Sequence, residues 1–157
     1  MPKPVYLLTQ HAVGLIAYSE GTRYTAAKRH EAETWCRDNN KQIGRHVLYP
    51  RTKGFIACVQ TLRNAQHVKA VYDVTVAYAK RDKLFQTSPT FGQTVLIPRL
   101  DKEWRFFVHV DRHPLDQLPN SDLELAQWVE QRWIEKGERL EFLRQKLVKG
   151  VPWDALV

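Results

Sequence analysis

Short apolar runs alternate with amphipathic stretches along most of this chain, and that alternation constrains its fold more than any other feature. A run of four to eight apolar residues closed by turn residues reads as a strand. Apolar residues three and four apart over a longer stretch read as a helix. Residues 13–18 form the first run, closed by the polar turn Ser19, Glu20, Gly21 and Thr22. Thr25 predicts a helix N-cap, and 26–39 a helix with Ala27, Ala32, Trp35 and Cys36 on one stripe, stopped by Asn39 and Asn40. Residues 47–49 predict a second short strand ended by Pro50, followed by a helix over 54–64 carrying Phe55, Ile56, Val59 and Leu62. Residues 71–78, rich in valine at alternate positions, are the clearest strand. The polar stretch 80–92, with Pro89 and Gly92, predicts a loop, and 94–97 and 105–110 two further strands. Ser121 with Glu124 fits a capping box opening the longest helix, 120 to 149. Its apolar contacts are Leu125, Val129, Trp133, Leu140, Leu143 and Leu147, and Gly137 is its weak point. The fold class is therefore α/β.

The 157 residues suffice for one domain with a buried core. A composition of 43% hydrophobic and 26% charged residues excludes a disordered chain. Lys and Arg number 24 against 17 Asp and Glu, and the net charge of +7 favours an anionic partner: nucleic acid, a phosphorylated metabolite or an acidic membrane surface. Cys36 and Cys58 form neither a metal-ligand set nor a disulfide framework, so no metal site is expected, and they suit a reducing compartment or the cytosolic face of a membrane. No stretch reaches the roughly 18–20 apolar residues that cross a bilayer. Residues 5–18 come closest and are interrupted by Gln10 and His11, so the expected membrane contact is peripheral.

Two loops carry candidate chemistry. Glu20, Gly21, Thr22 and Arg23 lie between a predicted strand and a predicted helix, where α/β folds bind ligands beyond the carboxyl ends of their strands. Gly21 permits close backbone approach, Thr22 offers a hydroxyl, and Arg23 can grip a phosphate in bidentate fashion. Glu20 is suited to accept from a substrate hydroxyl or to hold Arg23. Read alone, the segment is more often a polar turn with a surface ion pair. Pro50, Arg51, Thr52 and Lys53 form the second loop, bringing two cations to a helix N-terminus whose dipole already favours anions. The bland reading there is a solvated basic loop. If the strands feeding the two loops are neighbours, their cations converge on one crevice.

Ser19, Glu20, Gly21, Thr22 and Arg23, followed after about 25 residues by Val47-Leu48-Tyr49-Pro50-Arg51-Thr52-Lys53-Gly54-Phe55, resemble the 1-acylglycerol-3-phosphate acyltransferase family, its fungal and plant branches especially. The resemblance continues through AVYDVTVAY at 70–78, His109-Val110, Leu118-Pro119 and Ala126-Gln127-Trp128, covering roughly residues 13–135. It implies part of a glycerolipid acyltransferase fold, a mixed sheet flanked by helices with a long C-terminal helix. The implied divisions are an atypical segment 1–12, the C-terminal part of an acyltransferase domain over 13–119, and a C-terminal helix and tail over 120–157. The implied reaction moves an acyl group from acyl-CoA, a co-substrate, to the sn-2 hydroxyl of lysophosphatidic acid or a related lysophospholipid, with no cofactor. The implied location is the cytosolic face of the endoplasmic reticulum membrane. In this resemblance Glu20, Gly21, Thr22 and Arg23 hold the glycerol phosphate, and Pro50 with Arg51, Thr52 and Lys53 forms the second motif.

The family's base is a His followed five positions later by an Asp. Five positions after His11, His30, His46, His67, His109 and His113 stand Ile16, Trp35, Arg51, Tyr72, Pro114 and Leu118, so the pair is absent and no catalytic residue is assigned. His109 and Asp111 share one side of a predicted strand. His113, with Asp116 nearby, precedes Pro114 in what reads as an exposed turn. The expectation is the C-terminal portion of an acyltransferase, inactive alone. The alternatives are an inactive phosphate- or anionic-lipid-binding module and a basic nucleic-acid-binding domain. Trp35, Trp104, Trp128, Trp133 and Trp153 sit near basic residues and can stack on bases, but the chain carries no known nucleic-acid motif, so nucleic acid is not the expected partner.

Overall fold

A computed structural model of the chain describes residues 14–81 and 83–151. The expected N-terminal segment 1–12, the tail 152–157 with Trp153, and His11 lie outside the described residues. The described elements run α1 (Ala26–Asp38), α2 (Thr52–Leu62), β1 (Ala70–Lys80), β2 (Leu84–Phe85), α3 (Phe91–Leu96), β3 (Trp104–Pro114) and α4 (Asp122–Val148), with short 3₁₀ turns at Leu100–Lys102 and Leu115–Gln117. Helices and strands share the chain as expected. The described sheet is antiparallel throughout, in the order β2-β1-β3. β1 and β3 pair along their whole length, from Ala70 opposite Pro114 to Lys80 opposite Trp104.

Side chains alternate across this ribbon. Thr75, Ala77 and Ala79 of β1 are buried, and the two alanines are small enough to let α4 approach. On the other face Tyr72, Val74, Val76, Phe106, Val108 and Val110 remain about half exposed. Packed against the inner face, Leu140, Leu143 and Leu147 of α4 join Val47, Ala77, Ala79, Phe85, Phe107 and Trp133 in one core cluster. The N-terminal half of α4 builds a second cluster, in which Leu125 meets Val59 of α2, Leu115 and Leu118, with Phe55 stacked on Trp128. With 27 residues, about 40 Å long at 1.5 Å per residue, α4 is the strut shared by both clusters.

The caps follow the sequence closely. Thr25 accepts from Lys28 N at the start of α1, and Asn39 and Asn40 end it, Asn40 at φ 52°. Ser121 accepts from Glu124 N at 3.2 Å, but Glu124 answers by accepting from the Ser121 hydroxyl at 2.7 Å rather than from the backbone.

Four expectations are corrected. Residues 14–18 of the first expected strand form no strand among the described residues, and Leu15, Ile16 and Tyr18 are exposed, because no other strand lies beside them. Residues 47–49 form no strand, although Val47 and Leu48 are buried. Their backbone groups bond to side chains instead: Leu48 N to Glu20, and Val47 O to Arg29 Nη1 at 2.7 Å. Residues 94–97 belong to α3, because Thr90 and Gln93 close a capping box that starts a helix there. The stretch 80–92 is not all loop, since Leu84–Phe85 pairs with β1 and sends Phe85 into the core.

Gly137 is also more than a weak point in α4. Its Cα lies against the backbone of Gly44 and Arg45, and Gly44 lies against the carbonyl of Trp133, so a Cβ at either position would collide with main chain. The 44–46 segment therefore crosses α4 at a glycine-on-glycine contact, which fixes the buried 47–49 segment beside the helix.

Candidate functional site

The two loops singled out by the sequence do meet, although not as the ends of neighbouring strands. Arg51 N donates to Ser19 O at 2.7 Å, a backbone bond that ties the second loop to the first. Gly21 closes a turn through its N–H to Tyr18 O at 3.0 Å, with φ 65°, in the left-handed region where glycine is favoured. A Cβ on Gly21 would lie 3.2 Å from Arg51 Cδ and Nε, so the glycine also makes room for the arginine side chain.

Glu20 fixes the first loop from beneath. Its Oε1 accepts from Leu48 N at 3.1 Å and from Trp133 Nε1 at 3.2 Å, joining the loop to the buried 47–49 segment and to α4. Burial pushes its carboxyl pKa above the ordinary range, against the lowering effect of those donors and of Lys136. Glu20 forms no ion pair with Arg23, and its Oε1 is taken by the Leu48 and Trp133 donors.

The result is an open cleft. One wall is Leu15, Ile16 and Tyr18, and another is the α1 face of Lys28, Glu31, Ala32 and Trp35. Its floor includes Leu48, Tyr49, Phe55 and Cys58, and its head is formed by Ser19, Glu20, Gly21, Thr22, Pro50, Arg51, Thr52 and Lys53. At that head α2 starts without a side-chain cap and without an acidic residue in its first turn. Its first N–H groups and the dipole therefore face the same space as the exposed Arg51 and Lys53, an arrangement that attracts an anion. Lys28 is tied to Glu31 at 2.6 Å. Trp35, on the expected stripe of α1, is half exposed and leans on Tyr49, with ring centroids 5.0 Å apart. The Tyr49 hydroxyl donates to Glu130, and burial together with that carboxylate raises its pKa. One end of the cleft is cationic and the rest largely apolar, which suits an amphiphile with an anionic head.

Seven of the eight expected site residues, Glu20, Gly21, Thr22, Pro50, Arg51, Thr52 and Lys53, line this cleft. Arg23 is not brought there: it is exposed and donates through Nη2 to Ser88 Oγ at 2.5 Å. No histidine is among the described lining residues. His109 Nδ1 lies 3.5 Å from Asp111, on the inner face of the sheet. His113 is corrected from an exposed turn to a half-buried position in β3, edge-on to Trp128 at 4.9 Å. Asp73, Asp111 and His113 cluster closely enough to ligate an ion, but Lys136 pairs with Asp73 and Arg139 with Asp111 at 3.2 Å. The cluster is read as the ion-pair network seating α4 on the sheet.

Sequence reasoning missed two polar links. His46 Nε2 lies 2.6 Å from Glu141, whose carboxylate also accepts from Arg144 and Gln145. Lys41 bonds Glu130 at 2.8 Å. The partners are 95 and 89 residues apart, and no local pattern signals either link.

Comparison with known proteins adds independent information. The family described as the acyltransferase C-terminus matches residues 100–146, which is β3 and most of α4. The chain is 36% identical over 126 residues to lysocardiolipin acyltransferase 1 of Gallus gallus, covering 80% of this chain and 31% of that protein. It is 35% identical over 127 residues to 1-acyl-sn-glycerol-3-phosphate acyltransferase 2 of Brassica oleracea, covering 81% of this chain and 30% of that protein. The chain thus spans about a third of the length of the curated relatives it matches. Vertebrate and plant relatives stand side by side, which does not single out the fungal and plant branch. No solved structure matches the chain.

Proposed function

Because this chain belongs to the acyltransferase family that includes the lysocardiolipin and 1-acyl-sn-glycerol-3-phosphate acyltransferases, we propose that its cleft holds the phosphate-bearing head of a lysophospholipid, lysophosphatidic acid foremost. The reaction served is transfer of an acyl group from acyl-CoA to the sn-2 hydroxyl, in phospholipid biosynthesis, with acyl-CoA as co-substrate and no cofactor. The single observation that carries this reading is the bond between the two loops, Arg51 N to Ser19 O, which sets Gly21 and Thr22 beside Arg51 and Lys53. A phosphate there would meet two cations and the uncapped start of α2. The sn-1 acyl chain would lie along Leu15, Ile16, Tyr18 and Trp35.

The sequence carries no His followed five positions on by Asp, so the chain's own part in the reaction is binding and orientation. A positioned base contributes roughly 10²- to 10⁴-fold. The chain alone is therefore expected to bind substrate without turning it over. The same observation favours a second reading, a catalytically inactive lysophospholipid- or anionic-lipid-binding module. Among the described residues no helix is long and apolar enough to cross a membrane. We place the work at a membrane surface, the cytosolic face of the endoplasmic reticulum.

The purified chain, mixed with acyl-CoA and lysophosphatidic acid, tests the proposal, with binding and acyl transfer followed together. Binding without turnover is the expected result. Turnover that is lost in Arg51→Ala would mean that the chain assembles a base of its own. Absence of binding by a folded chain would remove the cleft from lipid chemistry.

A further inference from the structure

Helix α3 is inside out for a helix in water. Phe91, Val95 and Leu96 are 87%, 64% and 79% exposed. The polar side chains of the same helix are spent on its own start. Gln93 accepts from Thr90 N at 2.8 Å, Thr90 Oγ1 accepts from Gln93 N at 3.2 Å, and Thr94 Oγ1 donates to Thr90 O at 3.0 Å. At 100° per residue, Phe91, Val95 and Leu96 share an arc of about 140° with Gly92 between them, so a continuous apolar face points to solvent. Exposed cations flank it along the chain: Arg81 and Lys83 before the helix, Arg99 and Lys102 after it. Two of them have acidic partners, Arg99 with Asp101 at 3.3 Å and Arg81 with Glu103 at 3.4 Å, but both are surface pairs that hold little. The segment leading into α3 is tied to the first cleft loop, since Arg23 donates to Ser88.

We infer that α3 is a membrane-contact element, which inserts Phe91, Val95 and Leu96 into the interface of an anionic bilayer and holds the cleft at the lipid surface. The proposal rests on the reading of the cleft as a lysophospholipid site. An apolar wedge flanked by Lys and Arg suits the interfacial zone of a bilayer, where apolar area and attraction to anionic headgroups add. The bond between Arg23 and Ser88 ties the segment before the inserted helix to the loop at the head of the cleft.

The test is sedimentation of the full chain with vesicles of phosphatidylcholine alone and of phosphatidylcholine mixed with phosphatidylglycerol. The chain should bind the mixed vesicles more tightly, less so as salt rises, and the amides of residues 91–97 should gain protection from hydrogen exchange. Phe91→Ser with Leu96→Ser should weaken vesicle binding by about tenfold or more. Val108→Ser, on the exposed sheet face, should leave it nearly unchanged. Binding of monomeric lysophosphatidic acid should survive the α3 substitutions, so failure of the cleft reading would show in that measurement and not in vesicle affinity. The inference is overturned if the wild-type chain ignores anionic vesicles. Full vesicle affinity in the α3 variant, or unchanged exchange at 91–97 in bound wild type, would overturn it as well.

Discussion

Glu20 shows how much a single carboxylate organises. It holds Leu48 N and the Trp133 indole at once, and burial keeps its pKa high. Glu20→Ala leaves both donors without a partner and should cost about 1–3 kcal/mol for each one that stays buried. Glu20→Gln retains an acceptor oxygen. A group whose folded pKa is raised contributes stability fully below its unfolded pKa, near 4.5, and loses it as pH rises through the folded value. Ionised Glu20 therefore carries an unfavourable burial contribution that glutamine lacks. Urea unfolding at pH 7 should find Glu20→Gln close to wild type and Glu20→Ala well below it. For ligand binding the residue of interest is Arg51. Arg51→Ala should weaken lysophosphatidic acid by about 1.5–3 kcal/mol, the range for charged hydrogen bonds. Arg23→Ala should cost less, because Arg23 must first leave Ser88. Calorimetric titration of the two variants checks that order.

Helix α4 and the segment crossing it set the next scale. Helix propensity alone says that Gly137→Ala should stabilise α4 by about 0.8–1 kcal/mol. The backbone of Gly44 and Arg45 fills the space a methyl group needs, so the substitution should instead destabilise the fold by about 1–3 kcal/mol, read by chemical denaturation. Acid should act on the same crossing through Glu141. Hydrogen bonds from Arg144, His46 and Gln145 hold its carboxyl well below the usual range. A depressed carboxylate contributes stability above its unfolded pKa, near 4.5, and loses it as pH falls toward the folded value. The stability gap between wild type and Glu141→Gln should therefore be widest above about pH 5.5, a unit over that unfolded pKa, and should narrow on acidification. Local signals were legible where local chemistry decides. Thr25, Ser121 and the Asn39–Asn40 pair marked helix ends that the structure keeps. Alternation marked β1, which pairs along its whole length with β3. What was not legible depended on partners far along the chain. Residues 14–18 read as a strand, yet a strand needs a neighbour, and residues 47–49 gave their backbone bonds to Glu20 and Arg29. Residues 94–97 looked strand-like by composition, and the Thr90 cap overrode that preference.

For the whole molecule, the site is the product of a cross-linked frame. α4 joins the α2 cluster to the sheet cluster, Glu20 reaches across to it, and the loops at 19–22 and 50–53 come together above. Most of the residues at the head of the cleft were picked out by their place before two predicted helices, but their convergence could not be, because it comes from a backbone bond between Arg51 and Ser19 rather than from adjacent strands. The frame accounts for a cationic, amphiphile-shaped cleft in a chain of net charge +7. The most direct measurement of that account is a titration of the folded chain with lysophosphatidic acid held below its micelle concentration, for wild type and Arg51→Ala. The account predicts saturable binding that weakens with salt and falls by about ten- to a hundredfold in the variant. Absence of saturable binding, or equal affinity in a folded Arg51→Ala chain, would contradict it.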